Sequence, residues 1–429
     1  MMSSQDFVLY ALQITVMLAF ALLFGQLMRR MSQPPVLGEM IGGIVLGPTV
    51  LGLLLPGAYH WLFASSANVA IVRDASIKLG MLFFLFIAGL ETNLSDLKTM
   101  GRRAILIGLV GTLVPIGAGI ALVYAVPREF WGPTVQTHFF AFALFIGMNL
   151  ANSANPVLAR ILMDLGLMNG GIGTMCMTAT IVDDLVNWTL FAIILGEIAP
   201  SSQIATTGLP MSIALVGLVF VLILGIGRWV GPRTLHWLKG HLSWPTGFIA
   251  VTALLVLVAA SLTERLGIHA FLGAFLVGAA LSGQGDEHRE AHDVITRFAL
   301  SFFAPIYFIS IGMTTNYVTN FDGGLVAVIL AVALFSKLGG VLLGARLAGM
   351  PIDRDAWAIA FGLNARGATG IILAGVGRAA GVIDDRIFVA IVVMALATSL
   401  LAGPAMKWLL SHRIAEARLL GRRVEVAAD

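Results

Sequence analysis

Thr178-Ala-Thr-Ile-Val-Asp183-Asp184-Leu-Val-Asn187-Trp188 places two adjacent carboxylates inside a segment, residues 170–195, that is otherwise apolar enough to cross a bilayer. An aspartate at the bilayer centre costs about 2.5–3.5 kcal/mol on insertion scales. Two side by side cost more, because they also repel. A chain that keeps both there uses them, and they become candidate binders of a cation and of protons in alternation. Consecutive residues on a helix point about 100° apart, so the two carboxylates need not do the same job.

The rest of the 429-residue chain supports a membrane setting. Hydrophobic residues make up 58% and charged residues 11%, against about 25% charged in a soluble domain. Apolar runs of about 20 residues recur from end to end. The expectation is an all-α polytopic membrane protein of about 13 transmembrane helices, at 7–28, 36–55, 76–93, 103–126, 137–164, 170–197, 209–231, 245–264, 268–283, 294–314, 323–348, 355–379 and 386–411. The N-terminus shows no basic region and cleavage site before its first run, which reads as a retained helix. Residues 412–429 read as a short basic tail lying against anionic lipid. Of the 26 Lys and Arg, 18 fall in that tail and in the loops after odd-numbered helices, and 6 on the opposite side. The positive-inside rule then puts the N-terminus outside and the C-terminus in the cytoplasm. The remaining two, Lys337 and Arg366, lie at membrane depth.

Two internal matches share one offset. Leu37-Gly-Glu-Met-Ile-Gly-Gly43 in helix 2 matches Leu272-Gly-Ala-Phe-Leu-Val-Gly278 in helix 9. Phe83-Phe-Leu-Phe-Ile-Ala-Gly89 in helix 3 matches Ile306-Tyr-Phe-Ile-Ser-Ile-Gly312 in helix 10. An offset of seven helices reverses direction across the membrane, the signature of inverted-topology repeats, helices 1–6 and 8–13, with helix 7 as connector. The same offset pairs helix 5 with helix 12. Helix 5 carries Asn152-Ser153-Ala154-Asn155-Pro156 and helix 12 carries Asn364-Ala365-Arg366-Gly367, each a helix-weakening polar patch in an apolar run. Broken helices at matching places in two repeats point to a transporter's binding site.

Lys337, in the middle of helix 11, is too far from either end to snorkel, and a carboxylate is its natural partner. Arg366 reads as a structural cation for helix-terminal carbonyls or for Glu39 or Glu91. Ser153, Asn155 and Asn364 offer neutral oxygens suited to Na⁺ or K⁺, and Asn187, one turn past the aspartates, has hydrogen-bonding reach into the site. Glu39 and Glu91 sit near helix ends, where interfacial exposure is expected. Cys176 reads as a packing residue. No phosphate-binding loop, dinucleotide fingerprint, zinc motif or potassium-filter signature occurs. Neither an enzyme activity, nor a cofactor, nor nucleic acid, nor a nucleotide-binding domain is expected.

These residues resemble the second branch of the monovalent cation/proton antiporters, which includes bacterial sodium/proton exchangers and glutathione-gated potassium effluxers. The likeness covers nearly the whole chain. It rests on Pro35-Val-Leu-Gly-Glu-Met-Ile-Gly-Gly-Ile-Val-Leu-Gly-Pro48, Leu85-Phe-Ile-Ala-Gly-Leu-Glu91, Asp183-Asp184, Pro305-Ile-Tyr-Phe-Ile-Ser-Ile-Gly-Met313, Lys337-Leu-Gly-Gly and Asn364-Ala-Arg-Gly367. The resemblance implies a homodimer in a bacterial inner (cell) membrane. Helices 1–3 and 8–10, about 7–93 and 245–314, would form the dimerisation part. Helices 4–6 and 11–13, about 103–197 and 323–411, would form an ion-translocating core in which broken helices 5 and 12 cross. Asp184 would then bind the metal ion (Na⁺ or K⁺, with Li⁺ as a congener), Asp183 would pair with Lys337, and ion and proton would compete while the core moves like an elevator. Sodium is favoured, since the potassium effluxers tend to carry Gln-Asp in place of the Asp pair; K⁺/H⁺ exchange is the alternative. In different classes stand an organic-anion symporter and an ion channel on a related fold. The Asn-rich break in helix 5 departs from the Thr/Ser-rich break of the family.

Overall fold

The computed structural model describes residues 3–31, 33–91, 101–132, 138–167, 171–198, 218, 225, 246–265, 270–282 and 289–411. All regular structure among them is helical. Twelve of the expected runs appear as helices; helices 5 and 12 are each in two pieces, and the run at 36–55 is a helix Pro35–Leu46 followed, after a turn, by a short helix Leu51–Leu54. The helix expected at 209–231 and the tail at 412–429 lie outside the described residues, apart from helical positions 218 and 225. Six of the described helices are long and apolar enough to cross a membrane, among them Ser4–Arg30, Arg102–Ala125, Gly323–Leu347 and Asp385–Leu409. Helix 3 is longer than its apolar run suggested, Ala67–Glu91, because a polar first half carrying Arg73, Asp74 and Lys78 continues the same helix. Helix 10 is continuous over 289–313 through a π-helical turn at Ala299–Phe303.

The chain separates into two compact units, Met1–Ser95 with Leu195–Asn320, and Asp96–Ile194 with Phe321–Asp429. Within the first, the repeated glycines are where helices touch. A Cβ on Gly89 of helix 3 would run into the Phe275 carbonyl of helix 9, and one on Gly278 of helix 9 into the Phe86 carbonyl of helix 3. The same reciprocal crossing joins helix 2 to helix 10: Gly43 lies against Ile309 and Gly312, and Gly312 against Met40 and Gly43. Exchanging helix 2 with 9 and helix 3 with 10 turns one crossing into the other. Small residues let helix backbones approach closely where lipid supplies no hydrophobic drive for association. The repeated motif is therefore a pair of symmetry-equivalent packing contacts.

The second unit is built on helix 4, Arg102–Ala125, packed along helix 11, Gly323–Leu347. Gly340 and Gly344 of helix 11 face the helix 4 backbone at Val110 and Leu106. Apolar side chains on the outside of this unit, such as Phe335 and Trp408, are exposed, as suits helices whose outward face meets lipid. Helix 5 runs Phe139–Ala151, breaks at 152–154 and resumes as Asn155–Asp164. Pro156 has no N–H to continue the ladder and is tolerated only in the first turn of the second half. Helix 12 runs Arg354–Leu363, breaks at 364–367 and resumes as Ala368–Ala379. A Cβ at Gly367 would strike Val157 and Ala154, so the close approach of the two breaks requires glycine there. They are joined directly: the Ala154 N–H donates to the Ala365 carbonyl at 2.7 Å.

Candidate functional site

Breaking a helix inside the membrane leaves carbonyls at one new end and N–H groups at the other. With no water in the hydrocarbon, each must find a partner in the protein. The first half of helix 5 ends with the carbonyls of Leu150 and Ala151. Lys337 Nζ donates to Ala151, and the Arg366 guanidinium donates to Leu150 through Nε at 3.2 Å and through Nη2. Two buried cations thus meet the negative end of a helix dipole, worth roughly half an elementary charge. Arg366 also reaches the Ala333 carbonyl of helix 11 at 2.8 Å and the side chain of Asn364. Its planar fork ties three elements together, which is the structural role its sequence position suggested, with carbonyls as the partners.

Asp183 is the acceptor at the centre. Lys337 Nζ lies 3.2 Å from its Oδ1, with both side chains at most 2% exposed. The Ser153 N–H, freed by the break in helix 5, donates to Oδ2 at 2.6 Å. Thr112 of helix 4 places its hydroxyl 2.5 Å from Oδ1 and 2.7 Å from the Gly108 carbonyl. One hydroxyl proton serves one of those acceptors at a time. A carboxylate oxygen and a backbone carbonyl therefore share the Thr112 donor. Helices 4, 5, 6 and 11 all converge on this one carboxylate.

Asp184 is buried, at 6% exposure, on the adjoining face of helix 6, Gly171–Ile198. Thr180, four residues earlier, shares that face, and its hydroxyl lies 3.0 Å from Asn155 Oδ1. The two aspartates thus differ in setting: Asp183 meets Thr112, Ser153 and Lys337, while Asp184 lies on the helical face it shares with Thr180. Ser153 is held by its own hydroxyl, which donates to the Leu363 carbonyl at 2.6 Å and so spans both breaks. Asn364 caps the first half of helix 12 and gives its side-chain oxygen to Arg366. Asn187 is buried, and neither of its amide atoms has a partner among the described residues.

All eight site residues expected from the sequence lie in the second unit, joined by the hydrogen bonds above or by a shared face of helix 6. Four others were missed. Thr112 and Thr180 are single hydroxyls in apolar runs, where a threonine more often bonds its own helix. Asn149 precedes the break in helix 5 and Asn152 opens it; both are buried and hold amide atoms without a partner among the described residues. An amide at the end of an apolar run was the available signal. Glu39 corrects the expectation of interfacial exposure: it is buried at 8%, because the Pro34-Pro35 start of helix 2 lies against helix 1 at Gly25. The Glu91 side chain lies outside the described residues.

Two interrupted helices meeting at buried charges define the fold of a broken-helix ion transporter. The chain belongs to the sodium/hydrogen exchanger family: the family model described as "Sodium/hydrogen exchanger, transmembrane" matches residues 16–412. It is similar to the Na(+)/H(+) antiporter NhaS4 of Synechocystis, 33% identical over 94% of this chain and 97% of the relative. It is similar, too, to cation/H(+) antiporter 18 of Arabidopsis thaliana, 33% identical over 92% of this chain, which spans about half, 48%, of that longer relative. Relatives named for Na⁺/H⁺ and for K⁺/H⁺ exchange both occur among the matches. In fold it matches the sodium proton antiporter MjNhaP1 of Methanocaldococcus jannaschii at a TM-score of 0.66, with 14% identity, over 96% of this chain and 98% of that one.

Proposed function

We propose that this protein exchanges a monovalent cation, Na⁺ first and K⁺ second, for protons across a membrane. The observation that carries the reading is the Asp183–Lys337 pair buried at the junction of two broken helices, with a second carboxylate beside it. A channel needs no titratable group salt-bridged to a buried lysine, and neither does an organic-anion symporter. An exchanger does, because its cation and its protons must exclude each other at one place.

In this reading Asp184 is the group that the metal ion and the proton contest. Asp183 is held by Lys337, Thr112 and the Ser153 N–H, and takes a proton when Lys337 leaves it. Arg366 stays with the helix 5 carbonyls and keeps the break intact in both states. Ser153, Asn155 and Thr180 lie where neutral oxygens would complete the ion's coordination. Alternating access comes from an elevator-type movement of the core helices 4–6 and 11–13. Helices 1–3 and 8–10, whose glycine crossings make a stiff pair of helix ladders, serve as the dimerisation part of a homodimer. The bilayer is that of a bacterial cell, with the C-terminus cytoplasmic, following the distribution of basic residues. The K⁺ reading is favoured over other second choices by the relatives that bear that name.

The test is a proteoliposome fluorescence-dequenching assay in which Na⁺, K⁺ or Li⁺ is added outside vesicles acidified within. Cation-driven alkalinisation, largest with Na⁺ and saturating with concentration, is the expected result. Ion flux without coupled proton movement would overturn it in favour of a channel.

A further inference from the structure

Helix 5 and helix 6 run in opposite directions and touch where Phe145 packs against Phe191, with ring centroids 6.2 Å apart; beyond the end of helix 5 the Ser153 N–H bonds Asp183. Asn149 lies one turn after Phe145 on helix 5 and Asn187 one turn before Phe191 on helix 6, so both lie on the carboxylate side of the aromatic contact. Both are 1% exposed. Asn149 uses its NH₂ to bond the Phe145 carbonyl at 3.0 Å. Its Oδ1, and both amide atoms of Asn187, have no partner among the described residues. Leaving buried polar atoms without partners costs about 1–3 kcal/mol per group. An aliphatic pair here would be the more stable choice.

We propose that Asn149 and Asn187 form a neutral relay subsite for the transported alkali cation, one helical turn from the Asp183–Asp184 layer. The inference rests on the exchange reading and adds a station to it. Amide oxygens are hard, neutral ligands of the kind alkali cations accept in place of hydration water. The carboxylates one turn away, about 5 Å along the helix, supply the countercharge. On the other side the Phe145–Phe191 contact, with Trp188 set edge-on to Phe191, shields the layer with rings. A cation passing between the rings and Asp184 exchanges part of its water for the two amides before it meets the carboxylate. Because a neutral oxygen holds large and small alkali cations with less contrast than a carboxylate does, the pair moderates the Na⁺ to K⁺ preference set at the carboxylates.

The test is Asn187→Leu, a near-isosteric change that removes the unpartnered amide, read in proteoliposomes beside wild type. KM for Na⁺ should rise about tenfold, corresponding to the loss of one ligand of about 1.4 kcal/mol. The Na⁺ to K⁺ KM ratio should shift as well, and the melting temperature should be unchanged or higher. Asn149→Ala should move KM and the ratio in the same direction, and the double variant should raise KM further than either single. Should Asn187→Leu fail to fold, Asn187→Ser gives the same readout at smaller volume. Unchanged KM and unchanged Na⁺, K⁺ and Li⁺ order in these variants would assign the amides to hydration or packing only and overturn the proposal. Wild-type protein that moves no cation against protons would instead overturn the exchange reading itself.

Discussion

Replacing Lys337 by Met keeps most of the buried stem and deletes the charge. Asp183 then loses the Nζ at 3.2 Å, and the Ala151 carbonyl loses its donor. Removing one partner of a buried ion pair costs about 3–5 kcal/mol, because the other charge is left uncompensated. Asp183 retains the Thr112 hydroxyl and the Ser153 N–H, which places the loss toward the lower end, about 3 kcal/mol. In a unit of this size each kcal/mol moves the melting temperature by about 2–4 °C. The expected drop is therefore about 6–12 °C, followed by fluorescence-detected melting in detergent. Asp183→Asn should cost a comparable amount by leaving the lysine unpaired. The Asp183→Asn, Lys337→Met double variant should lose less than the two singles together, by about 1–3 kcal/mol, as coupled neighbours do. Strictly additive losses, or singles that melt with wild type, would refute the reasoning that this ion pair holds the core together.

Other parts of the site make separate demands. Arg366→Lys should destabilise nearly as much as Arg366→Gln, by about 2–4 kcal/mol in the same melting assay, since an ammonium cannot span Leu150, Ala333 and Asn364 as a planar fork does. Thr112→Val, close in volume, removes one donor to a carboxylate, worth about 1.5–3 kcal/mol. It should also displace the pH dependence of exchange, whereas a purely structural hydroxyl would lower yield and leave the profile in place. Gly89→Val and Gly278→Val should each cost about 1–3 kcal/mol or more through backbone separation of helices 3 and 9, seen as lost monodisperse yield on size-exclusion chromatography. Equal yields would contradict the close crossing.

Much of the architecture was legible because membrane chemistry leaves few solutions. Gly43, Gly89, Gly278 and Gly312 repeated at one offset, and the structure uses them as two equivalent backbone crossings. Pro156 and Gly367 marked the breaks, since each weakens a helix that has no water to repair it. Lys337 had to find a carboxylate, and found Asp183. What stayed hidden depended on rotation and register. Nothing in a lone Thr112 says that its hydroxyl turns to helix 6 rather than only to its own helix. Asn149 sits at the end of an apolar run, and its place with Asn187 on the carboxylate side follows only from the packing of Phe145 on Phe191. Glu39 misled because distance from a helix end measures depth along the chain and says nothing of which neighbour covers the side chain. The polar first half of helix 3 was invisible to hydropathy because a helix can continue past the bilayer on Arg, Asp and Lys.

The most direct test of the account is Asp184→Asn in proteoliposomes, with its melting temperature measured alongside. The account predicts that cation-driven proton movement falls to the level of protein-free vesicles for Na⁺, K⁺ and Li⁺ alike, while the fold persists because the Asp183, Lys337 and Arg366 contacts are untouched. Exchange at the wild-type rate in that variant would contradict it.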